Sequence, residues 1–350
     1  MEINNIINYL PLELLQFIFD KLDLKNQIIF QTVCRYLHEE LRIIDLYNID
    51  GHFKLNDNIL KKFKYIKHLD ASFNLKITNE GIKHMNLYSL NVSYNIKITN
   101  EGIKHMNLHT LIATNKSELT DDGIKHMANL KILNVRNHQK ITDNSIKYMN
   151  LSNLDASYNL NITDDGIKHM NLYFLNATSN PNIIDEGIKY MKLNTLIISG
   201  FYCKITDNGI KHMNLHTLNI PDNNIITNEG IKHMNLHTLD ISSNDKITDE
   251  GIKHMNLHSL NIFFNQKITN ECIKNMNLYL LDASGGKSLI TNEGIKNMNL
   301  NTLRASFNER ITDDGIKHMQ LQNLYAHGNK NITMEIKNGI KKNRIFNVFK

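Results

Sequence analysis

Residues 87–106 read LYSLNVSYNIKITNEGIKHM and contain both periodicities that decide the fold. Leu90 and Val92 alternate with polar residues, which predicts one buried face of a short strand. Ile103 and Met106 lie three positions apart, which predicts one buried face of a helix. The segment therefore changes from a strand period to a helix period within a single unit.

The same unit recurs along most of the chain, and its Ile-Thr step is the clearest marker. Successive marker threonines lie 21 or 22 residues apart, with Ile184 filling the one gap. A strand and a helix in a unit of this length form the signature of a leucine-rich repeat, which cannot bury its apolar side alone. We therefore predict an α/β leucine-rich-repeat solenoid, with a parallel sheet on the concave side and short helices on the convex side. The marker threonines are Thr78, Thr99, Thr120, Thr142, Thr163, Thr206, Thr227, Thr248, Thr269, Thr291, Thr312 and Thr333.

An asparagine stands four residues before the marker threonine in most units. A side-chain amide there can satisfy backbone groups where the chain leaves the strand. The threonine is a natural helix N-cap, and acidic residues follow it where a helix N-terminus favours negative charge. Both features predict that these residues stabilise the repeat and do not take part in catalysis. The asparagines are Asn74, Asn95, Asn159, Asn180, Asn223, Asn244, Asn265, Asn308 and Asn329.

The Ile-Thr-Asp-x-Gly segment, as in residues 162–166, resembles the cysteine-containing leucine-rich repeats of F-box proteins. The units here are shorter, and asparagine stands where that family usually has cysteine, which implies a thinner helical side. The resemblance covers residues 46–333, which we interpret as about 13–14 units with a degenerate first unit. Residues 334–350 are expected to form a C-terminal cap and basic tail.

Residues 10–41 do not share the repeat and predict three short helices. A core of this size is marginal alone, so part of its apolar surface is expected to meet a partner or the first repeat. Pro11 suits the start of the first helix. That helix carries a broad apolar stripe at helical spacing, formed by Leu14, Leu15, Ile18, Phe19 and Leu22.

This stretch is also similar to the F-box, because a set of its residues stands in that family's order and spacing: Leu10-Pro11, Glu13-Leu14-Leu15, Ile18, Leu22 and Val33-Cys34-Arg35. It departs from the family at Tyr36-Leu37, a region where a tryptophan is often found. The resemblance implies a three-helix F-box module at residues 1–45 that docks on the Skp-family adaptor of a cullin-based ubiquitin ligase. The residues expected to contact that adaptor are Leu10, Pro11, Leu14, Leu15, Ile18, Leu22, Ile28 and Val33.

The resemblance implies a substrate-recognition adaptor of an SCF-type ligase, whose repeats bind an unknown target protein. The alternative is a non-degradative interaction protein in which the N-terminal helices only cap the array. A cap needs helices and a polar outside, but it does not need the ordered Leu-Pro and Val-Cys-Arg set. The F-box interpretation is therefore favoured.

A specific partner needs features that a regular scaffold does not supply, and such features break the repeat pattern. Two turns are lengthened, near residues 201–203 and 285–288, which could frame a site. A polar column that includes Asp70, Asn91 and Asn134 either binds a partner or forms an amide ladder, and both readings stay open. Aromatic and cationic residues that break the pattern are the target-binding candidates: Arg136, Phe174, Phe201, Tyr202, Phe263, Phe264, Arg304, Tyr325 and His327.

The charge of the chain argues against nucleic acid as the main partner. The net charge of +5 divides into −3 over residues 1–45, +3 over residues 46–329 and +5 over residues 330–350. An array with so little net charge is untypical of nucleic-acid binders. The second alternative is therefore confined to the basic tail, with Lys337, Lys341, Lys342 and Arg344.

No catalytic set, metal site or cofactor is expected. Helix-side histidines recur, but Tyr148 and Tyr190 interrupt the row. The His-Met-Asn-Leu-His segments lack the glutamate of a zinc-protease helix, and the helix must end between their two histidines. The cysteines, Cys34, Cys203 and Cys272, share no metal or redox spacing.

The expected location is the cytoplasm or nucleus. No apolar run is long enough for a membrane span, and the N-terminus lacks the features of a signal peptide. The composition, heavy in Asn, Ile and Lys, resembles F-box/leucine-rich-repeat proteins encoded by giant DNA viruses of amoebae. That resemblance implies that the ligase partners belong to the host cell.

Overall fold

The computed structural model describes residues 11–33, 35–47 and 52–336, and it contains two compact units. One unit runs to Leu151 and the other starts at Ser152. Leu10, Cys34 and the basic tail from Lys337 onward lie outside the described residues. No described helix is long and apolar enough to cross a membrane.

The first unit begins with three helices: α1 (Leu12–Phe19), α2 (Leu24–Gln31) and α3 (Arg35–Glu40). The Asp23 carboxylate accepts a hydrogen bond from the Asn26 N–H at 2.8 Å, which caps α2 and keeps the turn before it short. Leu15, Phe19 and Leu37 are buried and form the core of this small module.

After the module, the first unit forms a parallel sheet whose strands pair in chain order. The register is constant, since Leu90 pairs with Leu69 on one side and with Leu111 on the other. The strands are β1 (Asp45–Leu46), β2 (His68–Asp70), β3 (Ser89–Asn91), β4 (Thr110–Ile112) and β5 (Ile132–Asn134). Beside a 3₁₀ turn at His52–Lys54, the helices are α4 (Asp57–Leu60), α5 (Asn79–Ile82), α6 (Asn100–Ile103), α7 (Asp121–Ile124) and α8 (Asp143–Ile146).

The second unit repeats the pattern of one short strand followed by one helical turn, again with parallel strands in chain order. Its strands are β6 (Asn153–Asp155), β7 (Phe174–Asn176), β8 (Thr195–Ile197), β9 (Thr217–Asn219), β10 (Thr238–Asp240), β11 (Ser259–Asn261), β12 (Leu280–Asp282), β13 (Thr302–Arg304) and β14 (Asn323–Tyr325). Its helices are α9 (Asp164–Ile167), α10 (Asp185–Ile188), α11 (Asp207–Ile210), α12 (Asn228–Ile231), α13 (Asp249–Ile252), α14 (Asn270–Ile273), α15 (Asn292–Ile295) and α16 (Asp313–Ile316). The predicted α/β leucine-rich-repeat solenoid after an N-terminal helical module is confirmed.

The repeated asparagine is structural, as its spacing predicts. The Asn95 Nδ2 group donates to the carbonyls of Ala71, Asn74 and Ile77 in the preceding repeat, at 2.8–3.2 Å. Its Oδ1 accepts from the N–H groups of Lys97 and Ile98. One buried amide thus satisfies five backbone groups that the tight turn leaves without regular partners.

A second ladder of side chains joins each helix start to the next repeat. The Asn79 Oδ1 atom accepts from the Thr99 N–H at 2.9 Å, and its Nδ2 group donates to the Thr99 hydroxyl at 2.9 Å. A Cβ atom on Gly102 would lie 2.4 Å from that Oδ1 atom. The close approach of the preceding repeat's side chain therefore favours glycine at this position, although Ser145 and Cys272 stand there in two repeats.

Candidate binding surfaces

The N-terminal module exposes a large apolar surface. Six large apolar side chains in its helices and turns are 41–59 % exposed. Side chains of this size are more stable when they are buried. Leu14, Phe17 and Ile18 lie on one face of α1 at helical spacing. We call the six residues the adaptor face: Leu14, Phe17, Ile18, Ile28, Ile29 and Val33.

The predicted adaptor contacts are distributed between the surface and the interior of the module. Pro11 is exposed and Leu22 is half-buried. Leu15, by contrast, is only 3 % exposed and packs in the module core, so its predicted role as a surface contact is replaced by a structural one. Phe17 is the most exposed member of the adaptor face, and the sequence did not identify it as a contact. Helical spacing alone does not show which side of α1 the other helices cover.

The polar column on the strands mostly serves the repeat that carries it. The Asn91 Oδ1 atom accepts from the Ser93 N–H at 3.0 Å, and Asn134 does the same for Arg136. A bond between neighbouring strands occurs from Asn261 to Asp240, at 2.8 Å. Most of these side chains therefore fix the strand exits of their own repeats, and the Asn261–Asp240 bond is one ladder contact of the kind that the sequence allowed.

The target-binding candidates occur at several places along the chain. Arg136 is exposed in the first unit, and Phe174 is half-buried at the start of β7. Phe201 and Tyr202 project from the lengthened turn of the second unit, with more than 70 % of each side chain exposed. The Phe263 and Phe264 rings contact each other edge to face, with centroids 4.3 Å apart.

The last strands of the second unit hold the best-connected candidates. The Arg304 guanidinium lies 5.1 Å from the centre of the Tyr325 ring and 3.8 Å from the Asp282 carboxylate. The His327 ring contacts the Phe307 ring edge to face at 5.4 Å. These contacts hold a cation and two aromatic rings in place on the exposed strand side, as an interface hot spot requires.

A column of stacked rings in the second unit was not predicted. Successive ring centroids lie 4.6, 4.7 and 4.8 Å apart. Three of the residues are the second histidine of a His-Met-Asn-Leu-His segment, the fourth is the tyrosine at the same position of the next repeat, and parallel register brings them side by side. We call them the ring column: His216, His237, His258 and Tyr279.

The first histidine of each segment has a different place. His105 follows α6 and lies 2.9 Å from the Met85 carbonyl, whereas His109 precedes β4 and bonds the Thr110 hydroxyl. The helix ends at Ile103, before both histidines and not between them as the sequence predicted, so the two histidines do not share a helix face. Among the described residues, no group of three or more His, Cys, Asp or Glu side chains is arranged to hold a metal ion.

Neither the described helix side nor the two described cysteines, Cys203 and Cys272, offer a charged or reactive site. In most repeats a lysine pairs with an acidic residue one helical turn earlier, as Lys104 does with Glu101 at 2.5 Å. Such exposed pairs cancel the basic stripe locally and contribute little stability. Burial raises the pKa of the Cys203 thiol to about 11 and that of Cys272 to about 12, so both stay protonated near neutral pH.

Comparison with known families adds to this geometry. A model of the F-box domain family matches residues 7–48, and a leucine-rich-repeat model matches residues 211–234, 232–255 and 253–274. No curated protein matches the chain by sequence. The chain therefore carries an F-box domain followed by leucine-rich repeats, an architecture typical of non-enzymatic adaptors of the ubiquitin-ligase type.

Solved structures share the fold at low sequence identity. A chain in the crystal structure of the Rad7 and Elc1 complex in yeast has a TM-score of 0.57 and is 17 % identical, and the match covers 85 % of this chain and 91 % of that one. A chain in the TLR13–ssRNA13 complex has a TM-score of 0.39 at 17 % identity, and the match covers 86 % of this chain and 45 % of that one. The first likeness supports the leucine-rich-repeat fold.

Proposed function

We propose that the chain is the substrate-recognition adaptor of a cullin-based SCF-type ubiquitin ligase. Its F-box docks the Skp-family adaptor, and its repeats hold a target protein near the ubiquitin-transfer machinery. The observation that carries the proposal is the adaptor face, six exposed apolar side chains on a module whose sequence matches the F-box family. We expect the complex to form in the cytoplasm or nucleus of the cell.

The module leaves apolar surface exposed that a partner protein can bury. Fully burying one such side chain is worth about 1.5–3 kcal/mol, so six partly exposed ones provide the apolar centre of an interface. The interior of the module is already filled by Leu15, Phe19 and Leu37, so these six side chains are free to meet another protein.

Co-purification with a Skp-family adaptor tests the proposal. We expect the full chain to retain the adaptor, and Leu14→Ala combined with Ile18→Ala to weaken binding by about a hundredfold, since each truncation removes a hot-spot contact. Glu13→Ala, an exposed change on the same helix, is the matched control and should have no effect. Failure of the unaltered chain to bind any Skp-family adaptor, or equal binding by the double variant, would reject the proposal.

For the target side, we propose that Arg304, Tyr325 and His327 form part of the target contact. Arg304 is held against Tyr325 and remains half exposed, so it is ordered before a partner arrives. An affinity pull-down with the full chain identifies the target. The Arg304→Ala variant should then lose most of that target while keeping the Skp-family adaptor.

A further inference from the structure

Two repeats of the first unit carry aromatic side chains at a turn position that disfavours them. Phe73 and Tyr94 follow β2 and β3 with φ angles of +55° and +57°, in the left-handed region. The same turn position holds Asn115 and Asn137, at +57° and +53°. Asparagine tolerates this conformation far better than a bulky aromatic residue does. Tyr158, Phe264 and Phe307 are aromatic at the same position in the second unit, whereas Ser179, Asp222 and Ser243 are not. The scaffold therefore accepts an aromatic residue at this position without requiring one.

The two rings are nevertheless exposed and ordered. They stack with centroids 4.4 Å apart and planes 16° from parallel. Leu75 and Ile96, two residues further along each turn, are also exposed. We call these four residues the turn patch, whose side chains are 37–55 % exposed: Phe73, Leu75, Tyr94 and Ile96. Exposed apolar side chains in neighbouring turns are typical of a binding site.

Positive charge surrounds the turn patch. Lys76 and Lys97 are exposed in the same turns and Lys116 in the next one, and none of the three pairs with a described carboxylate. The neighbouring Lys140 does pair, with Glu118. The helix-side lysines Lys83, Lys104 and Lys125 pair with acidic residues of their own helices. The turn patch is therefore bordered by lysines whose charge is not neutralised within the described chain.

We propose that the turn patch binds an acidic peptide segment that carries aromatic or aliphatic anchors. The apolar anchors would cover the stacked rings, and the acidic groups would meet the three lysines. This inference rests on the proposed role of the repeats in holding a target, and it gives the chemistry of one target segment.

Single-stranded RNA is the other class of partner that uses aromatic rings and lysines. No base can insert between the Phe73 and Tyr94 rings, because they already stack on each other. Leu75 and Ile96 offer aliphatic contacts, which suit a peptide side chain better than a base. The test must therefore distinguish RNA binding from peptide binding.

A displayed library of random peptides, selected on the full chain, tests the proposal. We expect the enriched peptides to combine Asp or Glu with aromatic or aliphatic residues. An enriched peptide, synthesised with a fluorophore, should bind the Phe73→Asn plus Tyr94→Asn variant at least about tenfold more weakly. The Lys76→Glu plus Lys97→Glu variant should weaken the same peptide and favour a charge-reversed one.

The asparagine variants adopt the residue found at the same turn position in two other repeats, so their fold is expected to be kept. Tyr158→Asn is the matched control, because Tyr158 is an exposed aromatic residue with a φ of +57° in the other unit. It should leave peptide binding unchanged.

Three results would overturn the proposal: no acidic enrichment, enrichment that persists on the Phe73→Asn plus Tyr94→Asn variant, or tighter binding of oligouridylate than of the selected peptides. Skp-family adaptor binding is measured on the same proteins. If the adaptor binds while the peptides fail, this surface is wrong and the proposed function stands. If the unaltered chain fails to bind the adaptor, the proposed function fails independently of the peptide result.

Discussion

The imidazole rings of His237 and His258 stack with their centroids 4.7 Å apart and their planes 12° from parallel. His216 lies on the other side of His237 at 4.6 Å. Loss of contact with water and the two flanking imidazoles lower the pKa of His237 below its usual value. Protonation of the middle ring is therefore less favourable in the folded chain than in the unfolded one.

This difference makes the second unit sensitive to acid. The unfolded chain binds the proton first as pH falls below about 6.5, so stability decreases from there down through the folded-state pKa. Above that range His237 contributes no pH dependence. We expect the urea midpoint to fall between about pH 7.5 and pH 5.5, and to fall less in His237→Asn. Asparagine holds the same position in neighbouring repeats, at Asn194 and Asn301.

The control for this measurement is His233→Asn, on the helix side and outside the ring column. It should show the same acid dependence as the unaltered chain. An identical fall of the midpoint in the His237→Asn variant would show that the stacked rings do not carry the effect.

The glycine of each repeat and the capping side chain before it should be energetically coupled. Gly102→Ala places a Cβ atom 2.4 Å from the Asn79 Oδ1 atom, so we expect a loss of about 1–3 kcal/mol. Asn79→Ala alone removes two hydrogen bonds to Thr99, at about 1–2 kcal/mol. In the double variant the clash is gone, so the combined loss should fall short of the sum by about 1 kcal/mol.

Denaturation midpoints and amide hydrogen exchange of residues 100–103 measure this coupling. Gly286→Ala is the control, since the nearest atom to its added Cβ would be the Phe307 carbonyl at 3.6 Å. Strictly additive losses at Gly102 and Asn79 would contradict the close-approach explanation for the glycine.

Features that recur in every repeat could be predicted from the sequence. The spacing of Leu90, Val92, Ile103 and Met106 indicated the strand and the helix, and the Asn95 amide occupies the turn for which its position suits it. Each of these residues meets the same neighbours in successive repeats, so a local pattern is enough to identify its role.

Features that depend on neighbouring repeats or on helix packing could not be predicted in the same way. His237 is an ordinary polar position within its own repeat, and only the parallel register places it between two other rings. Leu15 and Phe17 lie two residues apart on α1, yet the other helices cover one and leave the other exposed. The spacing of the residues in the sequence does not show which of the two is buried.

His138 occupies the position of the repeated asparagine in the first unit and should limit stability in acid. Its ring is almost fully buried, and its Nδ1 atom accepts a hydrogen bond from the Lys140 N–H at 3.2 Å. Burial lowers the pKa of His138, so the folded chain holds it neutral while the unfolded chain protonates below about pH 6.5. Stability therefore decreases as pH falls from that value through the folded-state pKa.

We expect His138→Asn to remove this acid dependence and to restore the amide contacts seen at Asn95. Urea midpoints at about pH 7.5 and pH 5.5 give the measurement, with His84→Asn on the helix side as the control. If His138→Asn loses as much stability in acid as the unaltered chain, burial of the imidazole is not the cause.

The last prediction concerns Phe17, which the sequence pattern did not single out. It is 59 % exposed on α1, whereas Leu15 is 3 % exposed and packs inside the module. Under the proposed function, Phe17→Ala should weaken Skp-family adaptor binding about tenfold or more while leaving the helical content and denaturation midpoint unchanged. Leu15→Ala should instead lower module stability by about 2–5 kcal/mol, because it leaves a cavity among the three helices. Isothermal titration of the adaptor, together with amide exchange over residues 12–31, separates the two effects. Adaptor binding that survives Phe17→Ala but is lost in a still-folded Leu15→Ala variant would show that a different face of the module makes the contact.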